Sequence, residues 1–316
     1  MSALAFTVLA VLLAGPTPAL LARASWPQRA PRAAMVLWQA IALAAVLSTF
    51  SAGIAIASRL LMPGPDGRPT AGILDAEGRL GWPLWSAYIA VFALTLMVGA
   101  RLAVAAARVA IATRRRRARH RMVVDLVGVD HDAALGQPCS VPRDLRILHV
   151  EQPLAYCLPG VRSRVVVSEG TLNTLGDNEV AAILSHERAH LRARHDLVLE
   201  AFTALYAAFP RLVRSANALG AVQLLVELLA DDAAVRATGR APLARALVAC
   251  AAGRAPSGAL AAGGASTVLR VRRLNGSGNS PLLSAVVYLA AAAVLVVPTI
   301  ALAVPWLTEL HRLVSA

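Results

Sequence analysis

Charged and aromatic side chains are scarce in this 316-residue sequence. Charged residues make up 16% of the chain and aromatic residues 4%, and lysine is absent, so every fixed positive side-chain charge is an arginine. Hydrophobic residues reach 57%. A soluble protein of this length needs more polar surface than these residues supply. The composition therefore excludes an ordinary soluble globular protein and predicts that much of the apolar surface faces lipid.

Cysteine is also rare. The three cysteines, Cys139, Cys157 and Cys250, lie far apart, and none belongs to a Cys-x-x-Cys pair. An odd number of scattered cysteines argues against a disulfide framework. We expect free thiols in a reducing compartment.

Four apolar stretches are long enough to cross a bilayer, which takes about 20 residues. They cover residues 2–21, 34–57, 83–112 and 281–307. Pro16 and Pro18 lie in the first stretch and predict a kink or an unwound second half. A signal peptide is the alternative for this stretch, but no arginine precedes its apolar core, so we favour a membrane span.

The arginines predict the orientation of the chain, because cytoplasmic loops carry the excess of positive charge. Arginines follow the first span, form a dense run at 114–121 after the third span, and precede the fourth span at Arg270, Arg272 and Arg273. This pattern places the segment 113–280 in the cytoplasm and both termini outside. The protein is thus expected to be an α-helical, polytopic protein of a bacterial-type plasma membrane.

The run at 114–121 has an alternative interpretation as a nucleic-acid patch. Directly after a membrane span, a basic cluster is more typical of an anchor on anionic lipid. No helix-turn-helix pattern is nearby, so we expect no direct nucleic-acid contact. Three regions are predicted: three spans in 1–112, a cytoplasmic domain in 113–280, and a fourth span with a short extracellular tail in 281–316.

The predicted cytoplasmic domain mixes strand-like and helical patterns. Alternating apolar runs predict strands at 145–150 and 164–168, with a turn at 157–160. The apolar period becomes helical after Asp177 and predicts an amphipathic helix. Two further helices are predicted at 197–209 and 218–237.

His186, Glu187 and His190 form the pattern His-Glu-x-x-His inside the amphipathic helix. Histidines four residues apart share one helix face, so both imidazoles can reach one metal ion. Glu187 is placed to hold and deprotonate a water at that metal, and zinc lowers the pKa of such a water to about 7. The alternative is a pair of surface histidines on an arginine-rich helix. We favour a Zn²⁺ site that hydrolyses peptide bonds.

Three residues compete to be the third ligand, since a catalytic zinc keeps three protein ligands and one open position. Asp196 lies six positions beyond the motif, but Ala193 stands where the sharp turn calls for glycine. Glu200 is a charge in an apolar helix. Glu227 is preferred, because Asp231 lies one turn further on and can hydrogen-bond a ligand histidine from behind.

His195 and Arg192 directly follow the motif. Either could stabilise an oxyanion. Contact with solvent or with lipid headgroups is the preferred interpretation of both.

Taken together, these residues resemble the BlaR/MecR family of antirepressor membrane zinc peptidases. The His-Glu-Arg-Ala-His motif, the later Glu227 and Asp231, and membrane spans on both sides carry the resemblance. Residues 156–160 (Tyr-Cys-Leu-Pro-Gly) and the strand at 164–168 also match, and HtpX-type membrane peptidases share them.

This resemblance implies a cytosolic α+β zincin-like metallopeptidase domain that acts on a protein or peptide substrate. The implied partner is a small BlaI/MecI-type repressor. It also implies that the strand near residues 165–167 could pair with the substrate by strand addition.

One departure from that family concerns sensing. The β-lactam sensors carry a large penicillin-binding domain after the last span and are acylated at Ser-x-x-Lys, whereas this chain has only a short tail there and no lysine. Sensing of β-lactams by this chain is therefore not expected. A regulatory peptidase is the favoured function; the alternatives are an HtpX-like quality-control peptidase and a non-catalytic signalling scaffold.

Overall fold

A computed structural model describes residues 2–57, 76–130, 144–160, 162–210, 215–251, 260–261, 267–276 and 280–300, together with 304 and 308. Across these residues the chain is mostly helical and carries one small sheet. Cys139 and nearly all of the predicted tail lie outside the described residues. Cys157 and Cys250 are free and buried, in keeping with the scattered cysteines.

The helices follow one another along the chain, with a short 3-10 turn (Trp26–Arg29) between the second and the third. Their bounds are α1 (Ser2–Ala14), α2 (Pro16–Arg23), α3 (Pro31–Ala57), α4 (Ala76–Leu80), α5 (Trp82–Val127), α6 (Glu169–Thr174), α7 (Asp177–Arg192), α8 (His195–Ala208), α9 (Ser215–Thr238), α10 (Arg240–Cys250), α11 (Thr267–Asn275) and α12 (Pro281–Pro298).

Four helical segments are long and apolar enough to cross a membrane. They are Ala3–Arg23, Pro31–Ala57, Trp82–Val127 and Pro281–Pro298, and each overlaps one predicted span. The first is interrupted at Gly15, after which α2 begins with Pro16 in its first turn, where proline's missing N–H costs no helical hydrogen bond. The break expected from the two prolines therefore lies at the start of α2.

Helix α5 is longer than the sequence pattern predicts. It continues past the expected end of the third span at residue 112 and ends before Gly128. Arginine is a good helix former, and no glycine or proline lies between residue 112 and Gly128, so nothing in the arginine run stops the helix. With 46 residues, α5 is about 69 Å long, more than twice the roughly 30 Å hydrocarbon core. Its arginine-rich half therefore extends beyond the bilayer.

Five strands form the sheet: β1 (Val129–Asp130), β2 (Leu145–Leu148), β3 (Ala155–Leu158), β4 (Arg164–Ser168) and β5 (Leu260–Ala261). Their order is β1-β2-β4-β3-β5. Strands β2 and β4 are parallel, and the other neighbours are antiparallel. Strand β4 coincides with the prediction, and β2 is two residues shorter than predicted.

Two expectations about strands are wrong. Cys157 and Leu158 belong to β3, so the turn predicted at 157–160 begins only at Pro159. Strand β4 is hydrogen-bonded to β2 on one side and β3 on the other, so substrate cannot pair along Val165–Val167. Position within a sheet depends on partners distant in sequence, and the local pattern of β4 does not reveal them.

The sheet is covered on both faces because β4 alternates its valines. Val165 and Val167 pack with Ile183 of α7 and Leu247 of α10. Val166 faces the other way and packs with Val124, near the end of α5. Because side chains alternate along β4, the strand packs against the motif helix on one face and against α5 on the other.

The apolar start of α3 packs against the helices that follow the motif. Met35 and Trp38 form a core with Phe202 of α8 and with Val222 and Leu225 of α9. Helix α8 also lies along α5, where Arg101 Nε donates a 2.5 Å hydrogen bond to the carbonyl oxygen of Ala208, at the C-terminal end of α8. A positive charge is favourable at that end of a helix.

Candidate metal centre

Helix α7 carries the motif, and its start is defined by local hydrogen bonding. The Glu179 carboxylate accepts from the Gly176 N–H at 3.2 Å, and Asp177 and Glu179 place negative charge in the first turn. Gly176 is the residue before the first helical turn. Ala182 and Ile183 bury the face of α7 that meets the sheet.

The two motif histidines share a buried face of α7. His186, Glu187 and His190 are each 0% exposed. The Nε2 atoms of His186 and His190 lie 3.1 Å apart, because residues four apart are one helical turn from each other. Both ligand nitrogens therefore converge on a single point.

Glu227, on α9, faces that point from the opposite side. Its Oε2 lies 3.5 Å from His186 Nε2, and its Oε1 lies 3.6 Å from His190 Nε2. One ligand atom from each of the three residues lies within 4.8 Å of the other two. Two imidazole nitrogens and one carboxylate oxygen are the donor types of a catalytic zinc site, so the residues fit this ion.

Asp231 lies one turn beyond Glu227 and approaches His186 from behind. Its Oδ1 is 3.1 Å from His186 Nδ1, the nitrogen that points away from Glu227. Although burial alone would raise the pKa of Asp231, hydrogen bonds from Arg270 and contact with His186 lower it to about 2. Asp231 is therefore an anion that can hold His186 in one orientation.

Arg270, on α11, joins the two acidic residues of α9. Its guanidinium donates to Asp231 through Nε at 2.8 Å and Nη2 at 2.6 Å, and its Nη1 lies 2.8 Å from Glu227 Oε2. Arg270 is only 1% exposed. A buried guanidinium with a bidentate carboxylate partner has the geometry of the strongest protein ion pairs.

Glu187 lies in the same buried space. Neither of its carboxylate oxygens accepts a hydrogen bond from an N–H or O–H group of a described residue, and the neighbouring donor is the weak Cys157 thiol. Burial, together with the nearby Glu227, raises the pKa of Glu187 to about 8. Burial and the Glu187 carboxylate in turn raise the pKa of the Cys157 thiol, which keeps this cysteine protonated. An unpartnered buried carboxylate is suited to exchanging a proton with a bound molecule.

The two competing third ligands lie elsewhere. Arg117 of α5 pairs with Asp196 at 3.0 Å and with Glu200 at 2.9 Å. Neither carboxylate belongs to the group that could hold a metal with His186 and His190. Both residues instead tie the arginine-rich half of α5 to α8.

His195 lies behind the second motif histidine. Its Nδ1 is 3.1 Å from His190 Nδ1, and the residue is 5% exposed. Burial lowers the pKa of His195 to about 4, so it is neutral near pH 7. The expectation that His195 contacts solvent or lipid headgroups is wrong for most of its surface, because the ring packs against His190.

Comparison with known protein families identifies the family of this chain. Residues 115–278 match the profile of peptidase family M48, which is more than half of the chain. The chain belongs to peptidase family M48. Its members depend on a metal, usually zinc.

A protease HtpX homolog from Campylobacter hominis is 29% identical to this M48 chain over 108 residues. The matched region covers 30% of this chain and 38% of that relative. No solved structure matches. The relationship to HtpX-type membrane peptidases is supported, and the finer resemblance to the BlaR/MecR antirepressors stays a prediction.

Arg270 and the pairing of His195 with His190 are the site features that sequence reasoning missed. Arg270 was interpreted only as a charge marking the cytoplasmic end of the fourth span. The available signal was its position within the short pattern Leu269-Arg270-Val271, where a charge stands between apolar residues. That signal predicts burial but does not identify a partner 39 residues earlier in the chain.

Proposed function

We propose that this chain is a zinc-dependent membrane endopeptidase, with His186, His190 and Glu227 as the metal ligands. The convergence of these three side chains on one point, in a chain of family M48, carries the proposal. Zinc, when bound, would supply a Lewis acid for the peptide carbonyl and would lower the pKa of a water, so that a hydroxide nucleophile is available near neutral pH.

Glu187 is the proposed general base. Its two unpartnered oxygens lie in the buried space next to the ligand histidines. The carboxylate accepts a proton from the attacking water and returns it to the leaving amine, so the peptide bond is broken and the carboxyl product is released. The raised pKa of Glu187 suits this exchange, because a group that titrates near the working pH both takes and gives a proton.

Asp231 and Arg270 are proposed to position the ligands. Asp231 holds the Nδ1 side of His186, and Arg270 holds Asp231 and Glu227 at a fixed separation. Neither residue takes part in bond breaking in this scheme. Their contribution is to keep the ligand set ready for the metal, which outer hydrogen bonds commonly do.

We propose a cytoplasmic location for this centre and a regulatory role in which a repressor-like cytosolic protein is cleaved. The arginine-rich half of α5 and Arg270, Arg272 and Arg273 support the location by the positive-inside rule. The three spans before the M48 domain and one after it support the regulatory role. The similarity to an HtpX homolog supports the second candidate, a quality-control peptidase that cleaves unfolded membrane or cytosolic proteins.

The test is cleavage by the purified full-length chain, with unfolded proteins and small DNA-binding repressors as candidate substrates. The wild type is expected to cleave, and Glu187→Gln is expected to lose roughly 10²- to 10⁴-fold in rate while keeping its zinc. Equal cleavage by Glu187→Gln would contradict the role of this residue. Selective cleavage of one repressor supports the regulatory function, whereas cleavage of unfolded proteins in general supports quality control.

A further inference from the structure

A cleft lies beside the C-terminal end of α7, the helix that carries the motif. Its walls come from the start of α3, the end of α7, the start of α8 and the last part of α9, and its volume is about 530 Å³. His195 forms part of the wall, so the cleft reaches the residue behind the ligand His190.

The cleft carries uncompensated positive charge. Arg32 of α3, Arg192 of α7 and Arg236 of α9 line it, and all three are exposed. None of them has a hydrogen bond or an ion pair with another residue that the structure describes. Asp232 also lines the cleft, but Arg273 already holds its carboxylate through two contacts of 2.7 and 3.1 Å. Three arginines that line one cleft and bind no carboxylate of a described residue favour an anionic ligand.

The helix dipole favours the positive charge of two of these arginines and disfavours that of the third. Arg192 and Arg236 lie in the last turns of α7 and α9, where the helix dipole favours a positive charge. Arg32 lies in the first turn of α3, where the dipole disfavours one. A bound anion would offset that cost, since anions are favoured at the start of a helix.

The position of the cleft relative to the membrane identifies the source of the anion. Helix α3 begins at Pro31 and is long and apolar enough to span a bilayer, which would place Arg32 at the membrane boundary. Gln39 lines the same cleft about 10 Å further along the helix and is exposed, with no hydrogen bond to another described residue. Met35 lies between them.

This order of groups matches the order of groups in a phospholipid. The phosphate lies outermost, the ester carbonyls lie deeper, and the acyl chains follow. Arginines at the boundary can bind the phosphate, and the Gln39 amide can donate to an ester carbonyl. A free phosphate ion would use the arginines but would leave Gln39 without a role.

We propose that this cleft binds the headgroup of an anionic phospholipid, with Arg32, Arg192 and Arg236 on the phosphate and Gln39 on an ester carbonyl. The site requires no peptidase activity and is separate from the proposed function. A basic residue near an anionic membrane surface contributes about fivefold to binding, so loss of all three arginines is expected to weaken binding on the order of a hundredfold.

The experiment is a titration of the full-length protein in detergent with phosphatidylglycerol, followed by native mass spectrometry that counts bound lipids. Phosphatidylcholine with the same acyl chains and inorganic phosphate are titrated in parallel. The expected result is one tightly held phosphatidylglycerol that neither other compound displaces at the same concentration. Displacement by inorganic phosphate alone would overturn the lipid assignment in favour of a free-anion site.

The variant Arg32→Gln/Arg192→Gln/Arg236→Gln is compared with Arg114→Gln/Arg115→Gln/Arg119→Gln, which removes the same charge from exposed positions of α5. The first variant should lose the tightly held lipid and the second should keep it. Equal loss in both would overturn the site, because it would show only diffuse attraction to basic residues. Gln39→Leu gives an independent readout, with a severalfold loss for phosphatidylglycerol; an unchanged affinity would remove Gln39 from the site and overturn the proposal as stated.

Discussion

The arginine beside the metal centre and the arginines of α5 have opposite surroundings. Arg270 is 1% exposed and contacts Asp231 and Glu227 at 2.6 to 2.8 Å. The arginines at 114, 115, 116 and 119 are exposed and have no ion pair with another described residue. A buried ion loses its hydration and depends on its partners, whereas an exposed one keeps its water. Arginine is thus part of a buried charge network in one region and a solvated surface charge in the other.

The largest loss of stability is expected for Arg270→Ala in metal-free protein. Removing one partner of a buried charge network leaves Asp231 and Glu227 without compensation, and we expect a loss of about 3–5 kcal/mol in the free energy of unfolding. Denaturant unfolding in detergent, followed by tryptophan fluorescence, measures it. A loss below about 1 kcal/mol would show that the network is not desolvated as its burial indicates.

A second variant tests whether the buried network serves the metal. Asp231→Asn removes the anion behind His186 but keeps the size of the side chain, and we expect zinc affinity to fall about 10- to 100-fold. Competition with a fluorescent zinc chelator measures the affinity. The matched control is Asp232→Asn, one residue further along α9, whose carboxylate pairs with Arg273 instead. Equal losses of zinc affinity in both variants would contradict a specific role of Asp231 in holding His186.

A third variant tests whether the loss of a hydrogen-bonding partner also costs more stability when the polar groups are buried and neutral. Ser168 is 0% exposed; its Oγ accepts from the Leu154 and Thr171 N–H groups at 3.0 and 3.1 Å and donates to the Gln152 carbonyl at 2.7 Å. Ser168→Ala leaves these groups unsatisfied at the start of α6, and we expect a loss of about 1–2 kcal/mol in unfolding free energy.

The control for Ser168 is Ser86→Ala, since the Ser86 hydroxyl bonds only a carbonyl of its own helix. Its expected loss is below about 0.5 kcal/mol. If both variants lose the same unfolding free energy, burial does not determine how much these hydroxyls contribute to stability.

The smallest effect is expected for the exposed arginines of α5. Arg114→Gln and Arg116→Gln should each change the unfolding free energy by less than about 0.5 kcal/mol in detergent, because they remove no contact between described residues. A loss above 1 kcal/mol in either variant would show that the arginine run has a structural partner.

Much of the fold could be predicted because its signals are local. Long apolar stretches mark the four described helical segments that are long and apolar enough to cross a membrane, and alternation marks β4. The extension of α5 and the strand β3 were not predicted, because the arginine run indicated only the end of a membrane span and residues 157–160 were assigned to a turn. Helix length follows from the absence of a breaker, and β3 depends on pairing with β4 and β5.

The candidate site could be predicted where spacing within a helix sets the geometry. His186 and His190 on one helix face, and Glu227 one turn before Asp231, follow from the period of an α-helix. The structure groups Glu227 with the two histidines, whereas Arg117 pairs with Asp196 and Glu200; the role of Glu227 as a metal ligand stays a prediction. Arg270 could not be assigned, since its partners come from packing of α11 against α9.

The measurement that tests the central claim most directly is the zinc content of the purified full-length protein, determined by elemental mass spectrometry for the wild type, Glu187→Gln and His190→Phe. The proposal predicts one zinc per chain in the wild type and in Glu187→Gln, and a loss of zinc in His190→Phe, because a ligand is removed in the last variant only. A wild-type protein that binds no zinc after incubation with the metal, or a His190→Phe variant that binds it equally, would contradict the proposed metal centre.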